Sequence, residues 1–196
     1  MLRKILNQKD RVYILQDFIE SVLQIDIMKI ELNSYLEKEK KHLPKEESFG
    51  IADVRVTLRN GKEFNIGIQV LDGENIQSKL LMYYTQLHFF QLKHSLKRSF
   101  TKTITINLLD FNYFDSKEYH KKVIVSPKND KNLNNEIEMH IIEFKKFFIN
   151  KKYNISKKEA WMLYLKEDVL GNGEEFDKIN VLDKLVIDYW KKENME

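Results

Sequence analysis

The chain has 196 residues, of which 42% are hydrophobic and only two are proline, so we expect one globular domain with a real core. It contains no cysteine, which excludes disulfides, thiolate zinc sites and a cysteine nucleophile. Thirty-three basic residues are nearly balanced by thirty acidic ones, and a net charge of +3 does not by itself indicate a nucleic-acid partner. No apolar run approaches the ~20 residues of a membrane helix, and the N-terminus lacks the apolar core of a signal peptide. We therefore expect a cytoplasmic protein with no membrane partner.

Two elements are predicted before the first strong turn signal. Residues 10–23 carry apolar side chains at helical spacing, which predicts an amphipathic helix. Asp17, Glu20 and Gln24 lie on its polar side and read as an ordinary solvated face. Residues 27–32 are strand-like, and residues 33–48 form a charged connector in which Pro44 opposes a continuous helix.

A β-hairpin is predicted over residues 49–70, where two runs of alternating polarity flank the turn signal Asn60-Gly61. Each strand has one apolar and one polar face, and the pairing must match the faces. A two-residue loop would set polar against apolar side chains. A three-residue loop with Gly61 in the left-handed conformation matches them, and it places Asp53 opposite Gly67 with Gln69 on the diagonal. Opposed Cβ atoms lie roughly 5 Å apart, so Asp53 and position 67 could share one small ligand.

The remaining elements alternate in type. A long helix is predicted over residues 76–96, a central strand over 101–111, and a further strand over 136–144 after a polar loop at 126–135. Ser156 and Glu159 form a capping box at the start of another helix, and residues 174–191 predict a final one. This order indicates an α/β fold with a mixed sheet. We assign residues 1–170 to the main domain and residues 171–196 to a C-terminal helix packed on it.

The hairpin resembles the core of the PD-(D/E)XK nucleases, in which an Asp is followed fourteen positions later by an acid-X-Gln triplet on the partner strand. More narrowly, the chain is similar to the recombination-promoting nuclease (Rpn) and putative transposase branch. TITINLLDF (103–111), EMHIIEFKKF (138–147) and the helix around Trp161 resemble later segments of that family, so the resemblance covers roughly residues 11–166. It implies a restriction-endonuclease-like core, a mixed β-sheet flanked by helices, with additional C-terminal helices.

The resemblance also implies chemistry, with one departure from the pattern. A Mg²⁺-dependent DNA endonuclease would use Asp53 as a metal ligand and Gln69 beside it. Gly67 stands where the second acid is expected and supplies no ligand, and Glu20 is the candidate that could add a carboxylate from the first helix. One carboxylate is the lower limit for a Mg²⁺ site, so the active site is incomplete.

Three interpretations of this departure remain open. The chain is a nuclease whose site another group completes, or a catalytically dead DNA- or protein-binding regulator that keeps the fold. As a third interpretation, Gly67 is an engineered or sequencing-level change in an active enzyme. Without the resemblance, Asp53 reads as a solvated strand aspartate.

Other candidate residues are less specific. Four basic residues cluster at the end of the long helix and the start of the next strand: Lys93, Lys97, Arg98 and Lys102. They could contact DNA phosphates, although cations at a helix C-terminus are also favoured by the helix dipole. Tyr83, Tyr84, Phe89 and Phe90 are core residues by spacing, and the five histidines show no metal-ligand spacing. DNA is the expected partner, and a homodimer is a further expectation.

Overall fold

The computed structural model describes residues 12–32, 52–71, 73–94, 101–125, 137–148 and 156–170. Within these ranges one mixed six-stranded sheet lies between helices on its two faces. The elements in chain order are α1 (Val12–Leu23), β1 (Ile27–Leu32), β2 (Ala52–Leu58), β3 (Glu63–Leu71), α2 (Ile76–His94), β4 (Lys102–Leu109), β5 (His120–Val125), β6 (Ile137–Glu143) and α3 (Lys157–Leu170), with a short 3₁₀ turn at Phe144–Lys146. The α/β prediction with a mixed sheet is confirmed.

The hairpin forms with the predicted register. The N–H of Leu58 donates to the carbonyl of Lys62 at 2.8 Å, and the N–H of Gly61 donates to the carbonyl of Leu58 at 2.9 Å. Gly61 has φ +79°, the left-handed conformation that a glycine adopts without steric cost. Asp53 is therefore paired with Gly67, as the alternation of polarity requires.

The strands lie in the order β1-β2-β3-β4-β6-β5. Pairing is antiparallel through β1, β2 and β3, parallel from β3 to β4 and from β4 to β6, and antiparallel again between β6 and β5. The parallel step from β3 to β4 is connected through α2, as parallel strands require a crossover. Strand β5 was not predicted, because its sequence HKKVIV begins with three polar residues.

The two faces of the sheet are covered by different helices. On one face, α1 and α3 pack their apolar side chains on the even-numbered residues of β2 and β3, and this cluster includes Phe18, Trp161, Val54 and Ile66. The opposite face carries Asp53, Gly67 and the other odd-numbered residues of the same strands, because side chains alternate along a strand. Helix α2 covers this second face. The predicted nuclease site thus lies between the sheet and α2.

Several predictions fall outside the described residues: the connector at 33–48, the polar loop at 126–135 and the C-terminal helix at 174–191. In the described part of the chain, no helix is long and apolar enough to cross a membrane. Tyr83 and Tyr84 are buried as predicted, whereas Phe89 is 59% exposed, so its assignment to the core was wrong.

Candidate functional site between the hairpin and helix α2

Asp53 is a buried residue, only 3% exposed. It lies in β2 directly opposite Gly67 of β3, and Gly67 is in turn paired with Thr105 of β4. The reading of Asp53 as a solvated strand aspartate is therefore wrong. It fails because strand alternation alone cannot show that a helix covers the polar face.

The space above Gly67 is filled by two side chains of α2. A Cβ atom added at Gly67 would lie 2.5 Å from the hydroxyl oxygen of Tyr83 and 2.5 Å from Cδ1 of Leu87. Both distances are far below the ~3.5–4.0 Å of an optimal van der Waals contact. The glycine thus lets the helix approach the sheet closely.

The Tyr83 hydroxyl donates a hydrogen bond to Oδ1 of Asp53 at 2.7 Å. The same oxygen lies 3.4 Å from the carbonyl oxygen of Ile68, but a phenol has one proton to donate, and the shorter bond takes it. A hydrogen bond to a charged acceptor is among the stronger ones in proteins. Asp53 is thus held by a neutral donor at the place where the resemblance implies a metal ion.

Gln69 belongs to a neighbouring buried network. Its amide nitrogen donates to Oδ1 of Asn107 at 2.6 Å, and Nδ2 of Asn107 donates to the Thr105 hydroxyl at 3.0 Å and to the His140 carbonyl at 3.1 Å. Gln69 and Asn107 are both 0% exposed. Gln69 Oε1, like Asn65 Oδ1, has no hydrogen-bond partner among the residues that the structure describes.

These residues do not fit a Mg²⁺ ion in the observed arrangement. Mg²⁺ requires near-octahedral oxygen coordination, commonly with one or two carboxylates. Asp53 supplies one carboxylate, and Glu63, the other acid on this face of the hairpin, is paired with Arg55 near the turn. The Tyr83 hydroxyl and Leu87 occupy the space above Gly67, beside Asp53. Across the described ranges, no group of three or more His, Cys, Asp or Glu residues could hold a metal ion.

The structure does not bring Glu20 to this site. Glu20 lies on α1, which packs on the opposite face of the sheet. Its Oε1 accepts hydrogen bonds from the Ile27 backbone N–H at 2.9 Å and from Gln16 Nε2 at 3.1 Å, so it stabilises the turn from α1 into β1. A metal-binding role for Glu20 stays a prediction.

The four predicted DNA contacts are described only in part. Residues 97 and 98 and the side chain of Lys93 lie outside the described part of the structure. Lys102 begins β4, and its ammonium group donates to Glu138 Oε2 at 2.7 Å. The backbone position confirms that Lys102 starts a strand, and its contact with DNA stays a prediction.

A second polar array was missed from the sequence. Lys158 Nζ donates to Nδ1 of His120, His120 Nε2 lies 2.9 Å from Nδ1 of His140, and His140 Nε2 lies 3.0 Å from Oε1 of Glu138. Lys102 and Lys122 bind the two oxygens of the same carboxylate at 2.7 and 2.9 Å. The two histidines are twenty residues apart, and only the antiparallel pairing of β5 with β6 joins them.

The pKa values in this array are shifted by burial and charge. Burial, followed by the charge of Lys158 and by His140, lowers the pKa of His120 to about 3. Burial also lowers the pKa of His140 from 6.5, although Glu138 opposes the shift. Burial alone would raise the pKa of Glu138, but hydrogen bonds from Lys102, His140 and Lys122 bring it to about 2. At neutral pH both imidazoles are therefore neutral and Glu138 is ionised.

Comparison with known proteins adds one finding to this geometry. The family model described as a PD-(D/E)XK nuclease family transposase matches residues 2–186 of the chain. Searches of curated proteins and of solved structures gave no significant match.

Proposed function

We propose, since the chain belongs to the PD-(D/E)XK nuclease transposase family, that it binds DNA without cleaving it. The observation behind this proposal is that Tyr83 donates a hydrogen bond to Asp53 and also fills the space above Gly67. Of the three interpretations of the incomplete site, we therefore favour the catalytically dead regulator, with DNA as its partner.

The chemistry of the buried groups supports binding over cleavage. Hydrolysis of a phosphodiester by a metal-dependent nuclease needs a cation that activates water and stabilises charge on the phosphate. Here the Asp53 carboxylate is covered by the Tyr83 phenol, and the Gln69 amide is too weakly basic to accept a proton as a general base. A DNA-binding surface needs no such group, because phosphate contacts with basic side chains supply most of the affinity.

The test combines a cleavage assay with a binding assay on the same preparations. Duplex DNA is incubated with the natural chain, Asp53→Asn and Gly67→Glu in Mg²⁺ and in Mn²⁺, and binding is measured by fluorescence anisotropy in EDTA. We expect the natural chain and Asp53→Asn to bind DNA in EDTA, and none of the three proteins to cut it. Because a side chain at position 67 displaces Tyr83 and Leu87, circular dichroism checks that Gly67→Glu is folded. Asp53→Asn keeps an oxygen that can accept the Tyr83 hydrogen bond, so its fold should persist.

Two results would overturn the proposal. One is metal-dependent cleavage by the natural chain that disappears in Asp53→Asn, which would show a working nuclease site. The other is a failure of the natural chain to bind DNA under conditions in which circular dichroism shows it folded. Cleavage by Gly67→Glu alone would instead identify position 67 as the one lost group, and would contradict the steric role of Tyr83.

A further inference from the structure

The array around Glu138 lies on the face of the sheet opposite Asp53. Glu138 and His140 are paired with Ile104 and Ile106 of β4, and these isoleucines belong to the core beneath α1 and α3. The odd-numbered residues of β4, such as Thr105, lie on the face that carries Asp53. The side chains of the array therefore take no part in the site between the hairpin and α2, although the His140 backbone carbonyl accepts a hydrogen bond from Asn107.

The hydrogen bonds of this array have a single direction. Because Glu138 is ionised, His140 Nε2 must carry a proton and donate it, which leaves His140 Nδ1 as an acceptor. His120 Nε2 must then donate to His140, and His120 Nδ1 is left to accept from Lys158. The series of hydrogen bonds runs from the ammonium group of Lys158 to the carboxylate of Glu138, and it uses both ring nitrogens of each histidine.

The array carries more positive than negative charge. It contains three ammonium groups, from Lys102, Lys122 and Lys158, and one carboxylate, from Glu138. The neighbouring acid Glu159 accepts the backbone N–H of Ser156 at 2.6 Å, and its negative charge also acts on Lys158, so it offsets part of the positive charge. Lys157, next to Lys158, is already paired with Asp17.

The lysine side chains are anchored but not sealed off. The side chain of Lys102 is 33% exposed and that of Lys122 is 48% exposed, whereas Glu138 is 7% exposed. An ammonium group has three donors, and Glu138 or His120 takes one from each lysine. Lys102 and Lys158 also lie over aromatic rings, 5.8 Å from the centroid of Phe64 and 5.5 Å from that of Tyr119. Holding a long side chain in place before binding lowers the entropy lost on association.

We propose that Lys102, Lys122 and Lys158 form a surface that binds the phosphate backbone of DNA, with Glu138, His120 and His140 as positioning residues. The inference rests on the proposed function and locates the DNA contact on the sheet face opposite Asp53. The chemistry that selects the ligand is a set of anchored, partly exposed ammonium groups. The regularly spaced negative phosphates of a DNA strand are complementary to them. Binding through such contacts is independent of base sequence.

The chain provides matched controls for this surface. Lys121 and Lys122 are neighbours in β5 but face opposite sides of the sheet, and Lys121 lies over the ring of Phe114, 4.3 Å from its centroid. Lys157 and Lys158 are neighbours in α3, and Lys157 is paired with Asp17. Lys122→Gln is therefore compared with Lys121→Gln, and Lys158→Gln with Lys157→Gln.

The experiment measures DNA affinity by anisotropy from about 50 to 200 mM salt. We expect each of Lys102→Gln, Lys122→Gln and Lys158→Gln to reduce the slope of log affinity against log salt by about one. Their combination should weaken binding on the order of tenfold at the lowest salt. Lys122→Arg should restore the binding lost in Lys122→Gln, and thermal unfolding verifies that each variant is folded.

The outcomes separate this inference from the proposed function. If the natural chain binds DNA and the control variants weaken it as much as their partners do, the surface is wrong while DNA binding stands. If the natural chain does not bind DNA at all, both fail, and retention of the chain on an acidic protein or polymer would then explain the surface. Selective loss in the three array variants supports both.

Discussion

The Tyr83 hydroxyl lies 2.7 Å from Oδ1 of Asp53, and a Cβ atom at Gly67 would lie 2.5 Å from that same hydroxyl oxygen. Tyr83 can therefore reach Asp53 only because position 67 has no side chain. The glycine makes the space, and the phenol both fills it and satisfies the buried carboxylate. An acidic side chain at position 67 and Tyr83 in its present rotamer cannot coexist.

Gly67→Ala should destabilise the protein by about 1–3 kcal/mol, the range found when a methyl group is forced into a packed core. Tyr83 and Leu87 must both move to admit the new methyl group. The measurement is the free energy of unfolding from urea denaturation. Gly73→Ala is the control, because a Cβ atom there would come no closer than 4.0 Å to Phe111, and we expect a change of less than about 0.5 kcal/mol. Equal effects at the two glycines would contradict the steric argument.

Tyr83→Phe should cost about 1–3 kcal/mol, because it removes the hydroxyl donor that Asp53 uses while the carboxylate stays buried. Urea denaturation again gives the value. Tyr13→Phe serves as the control, since Tyr13 is 49% exposed on α1, and its effect should stay within about 0.5 kcal/mol. In the background of Asp53→Ala, the Tyr83→Phe substitution should cost less than it does alone, because the acceptor is already gone. A cost unchanged by Asp53→Ala would show that the hydrogen bond contributes little.

The hairpin register was predictable because two local rules agree. Strand alternation fixes which residues share a face, and Asn60-Gly61 fixes the loop that matches those faces. Gly67 opposite Asp53 follows from these rules without any knowledge of the rest of the fold. The family resemblance then predicts that the Asp53 carboxylate stands at the position of a nuclease metal ligand.

The closure by Tyr83 was not predictable in the same way. Helical spacing places Tyr83 in the core, but it does not give the rotation and depth at which α2 packs on the sheet. The contact of residue 83 with residues 53 and 67 depends on that placement. The contact between His120 and His140 was not predictable either. Strand β5 has a weak sequence signal, and its pairing with β6 depends on the arrangement of the whole sheet.

Stability should fall as the solution is acidified from about pH 6.5 toward pH 3. His120 has its pKa lowered to about 3 in the folded protein, while an unfolded histidine titrates near 6.5. In that window the unfolded chain binds more protons than the folded one, so the free energy of unfolding decreases as pH falls. Glu138, with its pKa lowered to about 2, adds a loss that begins near its ordinary value of 4.5.

Urea denaturation at a series of pH values checks this prediction. The His120→Gln variant should have a flatter dependence between pH 6.5 and 4.5, where Glu138 does not yet contribute. His120 and His140 are in direct contact and titrate as a coupled pair. The pH dependence that remains in His120→Gln therefore includes the titration of His140. A natural chain and a variant with identical pH profiles would show that His120 is not held neutral by the fold.

Asp17→Ala should destabilise the contact between the first and last described helices. Asp17 Oδ2 accepts a hydrogen bond from the indole N–H of Trp161 at 2.7 Å, and Oδ1 is paired with Lys157. Trp161 is 0% exposed, so removal of the acceptor leaves a buried N–H without this partner, at a cost of about 1–3 kcal/mol.

The matched control for Asp17 is Glu31→Ala, which removes an acid whose ion pair with Lys29 is 2.9 Å long but exposed on both sides. Exposed pairs contribute about 0–1 kcal/mol, so the control should change stability little. Tryptophan fluorescence, measured in a Trp190→Phe background so that it reports Trp161 alone, provides a second readout, since Asp17 contacts the indole nitrogen of Trp161 directly. Asp17→Asn keeps an oxygen acceptor and should recover much of the stability lost in Asp17→Ala. If it does not, the ion pair with Lys157, and not the indole hydrogen bond, holds the two helices together.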